Sequence, residues 1–198
     1  MAEKLITPPA IEPVTLSEAK SQCIVETSAY DDLISSKIVT ARHWVEGYLG
    51  RALVAQTWRT KLDRFPCGVI RLHHPPLQSV TSITYIDTSG ASQTLSSAAY
   101  IVDTDSEPGR IAEAYGYTWP DTQDRINAVT ITSVHGYDDT GDSPYSLAMI
   151  PQDIKDAILV LVTDLYQNRE LNIVGPSVSV NSAVESLLWR HRVMPMTH

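Results

Sequence analysis

Cysteine is scarce in this chain of 198 residues: Cys23 and Cys67 are the only two, far apart and with no C-x-x-C pair. That excludes a disulfide framework and the usual thiolate zinc sites, and fits free thiols in a reducing compartment. Long apolar runs are missing too. The best, near Ile158 to Leu165, is interrupted by Asp164 and follows Lys155 and Asp156, so no membrane-spanning helix is expected. The N-terminus runs into Pro8, Pro9 and Pro13 without the apolar stretch of a secretory signal. These absences predict a soluble protein made inside a cell. A basic excess is also lacking: the formal net charge is -8 and the sequence pI about 5.1. Nonspecific nucleic-acid binding through a broad basic face is therefore not expected. With 43% hydrophobic and 19% charged residues, a real core is available.

Reactive motifs are absent as well. There is no G-x-S-x-G elbow, no P-loop, no G-x-G-x-x-G and no H-E-x-x-H. His73 and His74 are adjacent; in a strand their rings would point to opposite faces and would not converge on one metal. His43 and Glu46, three apart on a helix, read as a surface pair, since zinc needs three or four ligands. Asp138-Asp139-Thr140-Gly141-Asp142 lacks the alternation and the closing Glu of a calcium loop. No catalytic, cofactor-binding or metal-binding residue is assigned, and no cofactor is expected.

What is present is a sequence of elements. Residues 1–14, with three prolines, are expected as an extended N-terminal arm. Thr15-Leu16-Ser17-Glu18 fits a capping box opening a short helix to about Cys23. Asp31 and Asp32 open a second helix, where carboxylates oppose the positive end of the helix dipole. Ile34, Ile38, Ala41, Val45 and Tyr48 form its apolar face, and Gly50 ends it. From Val54 the period becomes two, with Val54, Trp58 and Leu62 on one face and Arg59 and Lys61 on the other. Short strands are expected at 69–72, 80–86, 100–102, 110–114 and around Val129 and Ile131. Pro151 begins a third helix, with Ile154, Ala157, Ile158, Leu161 and Leu165 on its apolar face and an end near Glu170. Residues 171–182 read as a mobile link, and 183–192 as a short terminal helix.

Leu187, Leu188 and Trp189, with Arg190 and Arg192 beside them, are the candidate binding group. One short helix does not bury such an apolar group alone, which suggests docking on a partner. Docking on the chain's own domain is the alternative.

Several segments together resemble the head–tail connector (adaptor) proteins of tailed bacteriophages and gene transfer agents. They are Thr15 to Lys20, the Asp31-Asp32 helix start, and Gly50-Arg51-Ala52-Leu53-Val54-Ala55-Gln56-Thr57-Trp58. Leu62 to Pro66, Pro76 to Val80, Ile83 to Asp87, Trp119-Pro120, the Pro151 helix and Leu165 to Glu170 continue the match. The resemblance covers roughly residues 8–170 in order and is loose over 171–198.

It implies an α+β fold: a small antiparallel helical bundle (15–50 plus 151–170), an inserted antiparallel β subdomain (51–150) and a C-terminal arm (171–198). It implies a structural protein that assembles as a cyclic homo-oligomer of about twelve copies under a portal. The ring would extend the channel and offer a surface to stopper or tail-side proteins. Double-stranded DNA would pass without sequence-specific binding, and no membrane is involved. The place of action would be the neck of a virion or phage-like particle, after assembly in the host cytoplasm. The implied portal contact falls on Leu187, Leu188, Trp189, Arg190 and Arg192. Two rival readings are a small soluble enzyme with a dispersed site drawn from His43, His73, His74 and Asp63, and a monomeric binding module.

Overall fold

The computed structural model describes residues 1–138, 145–168 and 182–193. The chain divides into two units. One is Met1–Ala10 with Val54–Ser146; the other is Ile11–Leu53 with the described residues from Leu147 onward.

The helical unit begins as the capping pattern dictates. In α1 (Leu16–Cys23) the Thr15 hydroxyl accepts the Glu18 N–H at 3.2 Å, and the Glu18 carboxylate accepts the Thr15 N–H at 2.6 Å. The bonds that Thr15 donates to it, from its N–H and its hydroxyl, hold the Glu18 carboxyl below its ordinary range. A 3-10 turn over Ser28–Tyr30 leads into α2 (Asp31–Leu49). Gly50 then stops α2 at φ 69, its N–H bonded to the Glu46 carbonyl. Ile34, Ile38, Ala41, Val45 and Leu49 are buried. Tyr48, expected on that face, is half-buried, because Leu49 takes the last inward position. In α3 (Gln152–Gln167), Pro151 is the N-cap and the inward residues are Ile154, Ala157, Ile158 and Val162. Leu161 and Leu165, expected there, flank that stripe and are half-buried. The last described helix, α4 (Ser182–Leu188), packs on α3 and buries Val184 and Leu188 completely. Residues 169–181, which hold the expected end of α3 and most of the expected link, lie outside the described residues.

The β unit contains β1 (Ala2–Thr7), β2 (Gln56–Leu62), β3 (Ile70–Arg71), β4 (Leu77–Ile86), β5 (Ser92–Thr94), β6 (Tyr100–Asp103), β7 (Arg110–Glu113) and β8 (Val129–His135). A five-stranded sheet runs β1-β2-β8-β4-β5 and a three-stranded one β3-β7-β6, with every pairing antiparallel. Ile70, Leu72, Leu77, Ile83, Ile111, Val129 and Ile131 form one core that draws on both sheets. Phe65 stacks on Trp119 at 4.9 Å beside it.

The N-terminal segment corrects an expectation. It is no free arm: β1 is the edge strand of the larger sheet, with Lys4 opposite Arg59 and Leu5 opposite Trp58. Its prolines stand after the strand, at positions 8, 9 and 13, so they remove no ladder donor.

Candidate functional site

The change from helix to strand is built on Glu46, one turn before the end of α2. Arg42, 3% exposed, donates from Nη1 to Glu46 at 2.8 Å and from Nε to Glu12 at 2.7 Å. Burial alone would push the guanidinium pKa down; the bonds and charges of Glu12 and Glu46 outweigh it and raise it. The second oxygen of Glu46 accepts the Leu53 N–H at 2.9 Å. Glu46 therefore compensates a buried charge and fixes the backbone just after Gly50. It does not serve His43, as the three-residue spacing suggested; His43 is exposed. An arginine one turn before a glutamate was the available signal, and its distant partner Glu12 was not readable.

On the far side of that junction, Ala55 donates to the Tyr137 carbonyl at 2.8 Å. Gly136 has φ +100, and a Cβ there would stand 2.2 Å from the Val54 carbonyl oxygen. Glycine lets these two backbones approach.

The His73-His74 pair also departs from expectation. The two residues lie in a bend, not a strand, and His74 has φ 62. Both rings meet one carboxylate: His73 Nδ1 is 3.2 Å and His74 Nε2 3.3 Å from the oxygens of Glu3 on β1. Burial raises the Glu3 pKa, but the two histidines outweigh that and lower it. The His74 ring stacks on Trp58 at 3.9 Å, and its carbonyl accepts from His135 Nδ1 at 3.0 Å. A carbonyl only accepts, so Nδ1 carries the His135 proton and Nε2 accepts the Ser133 hydroxyl at 2.8 Å. Burial, first of all, pushes the His135 pKa down to about 4. This cluster ties the edge strand into its unit. Asp63 is engaged elsewhere, accepting the Asn127 N–H at 2.8 Å. Among the described residues, no group of three or more His, Cys, Asp or Glu side chains is placed to hold a metal. No described helix is long and apolar enough to cross a membrane.

The C-terminal group is only partly available to a partner. Leu188 is fully buried and Leu187 half-buried. Leu188, named above in the candidate binding group, is part of the core of the helical unit, where α4 packs on α3. Arg190 Nε donates to Asp153 at 2.8 Å, and His191 Nε2 lies 2.8 Å from the same carboxylate oxygen. Burial raises the Asp153 pKa, and the bonds from His191 and Arg190 lower it further than that. Arg51 donates to the His191 carbonyl, Val193 donates to the Leu49 carbonyl at 2.8 Å, and Arg192 lies over the Tyr48 ring at 5.4 Å. Trp189 alone of the three apolar residues is well exposed, at 57%.

Residues 13–102 match the family model of the phage gp6-like head-tail connector protein. No curated protein sequence matches the chain. Among solved structures, a chain in the neck of an empty gene transfer agent particle, computed with C6 symmetry, is 22% identical with a TM-score of 0.77. The match covers 100% of this chain and 98% of that one. A chain in the virion of a native gene transfer agent particle is 20% identical, with a TM-score of 0.76 and the same coverage. A chain in a native neck computed with C12 symmetry is 20% identical, with a TM-score of 0.69, covering 98% of this chain and 97% of that one.

Proposed function

We propose that this chain, which resembles the phage head–tail connector family, is itself a head–tail connector: a structural protein of the particle neck and not an enzyme. The carrying observation is that the match to the gene transfer agent neck chain covers all of this chain and 98% of that one, while residues 13–102 match the connector family. A single connector domain with an unrelated appendage would match over only part of its length.

In this reading copies of the chain form a ring beneath a portal, and the ring offers its other side to stopper or tail proteins. We further propose about twelve copies, in keeping with closed cyclic symmetry, and a channel through which double-stranded DNA passes without base-specific contacts. Assembly would take place in the host cytoplasm. A net charge of -8 supports a channel that does not grip DNA. For the portal contact, Trp189 is the apolar member of the C-terminal group that is left open; Arg190 is already held by Asp153, and Arg192 is exposed over the Tyr48 ring.

The test is electron microscopy of the purified protein mixed with the portal of the particle it comes from. A ring of this chain on the portal's lower face is the expected result. A portal that stays bare at saturating protein sinks the proposal.

A further inference from the structure

Ile24 caps α1 in the left-handed region, at φ 56, with its side chain 91% exposed. A β-branched residue is a poor choice there; glycine or asparagine ends a helix in this conformation more cheaply. Its exposure means that no packing among the described residues compensates. It stands on an open groove lined by Leu16, Lys20, Val25 and Glu26. Lys20 is bonded to Asp31, the first residue of α2, at 2.6 Å, so this groove lies at the N-terminal end of α2. Toward the other end of the same 19-residue helix, about 20 Å along it, Trp44 is 37% exposed and stacks on Tyr48, with the exposed Arg192 over the Tyr48 ring. One end of α2 thus offers an aliphatic knob beside a carboxylate. The other offers an aromatic surface beside a guanidinium.

Two different patches, one aliphatic beside a carboxylate and one aromatic beside a guanidinium, toward opposite ends of one rigid element, are what a heterologous, head-to-tail contact can use. We infer that Ile24 is a contact residue between copies of this chain: it seats against Trp44 and Tyr48 of the next copy, and Glu26 faces that copy's Arg192. The inference rests on the ring reading proposed above. It also accounts for the conformation of Ile24, since strain held in the free chain is offset by burial only on assembly.

Two variants test it. In a Cys23→Ser, Cys67→Ser background, the pair Ile24→Cys with Trp44→Cys is oxidised at high protein concentration. A ladder of covalent oligomers is expected from the pair and from neither single change. Ile24→Asn is expected to melt at the same or a higher temperature than the unaltered chain. Its ring formation, read by electron microscopy with light scattering, should fall at least tenfold. Rings from the unaltered chain with no ladder, a dimer from Ile24→Cys alone, or unchanged rings from Ile24→Asn would each overturn this contact and leave the connector reading standing. An unaltered chain that makes no ring, alone or on its portal, overturns the ring reading and the contact with it.

Discussion

The carboxylate of Glu46 accepts the backbone N–H of Leu53 at 2.9 Å, across the end of the helix from which it projects. The same side chain holds the buried Arg42. One residue therefore neutralises a charge and fixes the segment that follows Gly50.

Glu46→Ala should destabilise the chain by about 3 kcal/mol, because it leaves a buried guanidinium with Glu12 as its one remaining carboxylate and frees a backbone donor. Glu46→Gln keeps an acceptor and should cost less. Urea titration of the three proteins side by side gives the ranking; equal midpoints would show that the network is not structural.

His135 makes stability depend on pH. Its folded pKa of about 4 lies below the ordinary value of 6.5. Between those values the unfolded chain binds a proton that the folded chain refuses, so stability falls as pH drops from about 6.5 to 4. The full shift corresponds to a loss on the order of 3 kcal/mol, which ends near pH 4. Denaturation at pH 7, 5.5 and 4 should show this slope in the parent protein, and a flatter one in His135→Gln.

Gly136→Ala should cost the β unit at least ~3 kcal/mol, since a Cβ at φ +100 would strike the Val54 carbonyl. Loss of soluble expression, or a large fall in melting temperature, is the expected readout.

At the C-terminus, Leu188→Ala should cost about 2–5 kcal/mol, because it opens a cavity against α3. Trp189→Ala, at an exposed position, should change stability by no more than about 0.5 kcal/mol; on the connector reading proposed above it should also weaken capture of the chain by a portal. Thermal melts with a portal pull-down separate the two roles. Removal of residues 183–198 would expose the core of the helical unit, so that truncation is a test of folding before it is a test of binding.

Much of the helical unit was readable because its signals are local. The Thr15–Glu18 box, the stripe from Ile34 to Val45 and the Gly50 stop each act within a turn or two of helix. The β unit was readable in its strands but not in its pairings. Gln56 and Thr60 share a strand face with Trp58 and Leu62 and are buried there, which no hydrophobic alternation announces. The Trp58 indole N–H is buried with no hydrogen-bond partner among the described residues. His73 and His74 failed a strand argument because His74 takes a positive φ in a bend, where alternation no longer holds.

By itself, then, the sequence determined where helices start and stop, which residues turn inward along α2, and an ordered set of segments that resembles the connector family. Those follow from capping, periodicity and backbone preference, all short-range effects. Only the tertiary structure decided that β1 closes a sheet edge, that Glu3 gathers two histidines, that Arg42 finds Glu12, and that Leu188 is core while Trp189 is not. Each of these depends on a partner far away in the chain, and burial exists only once that partner has arrived.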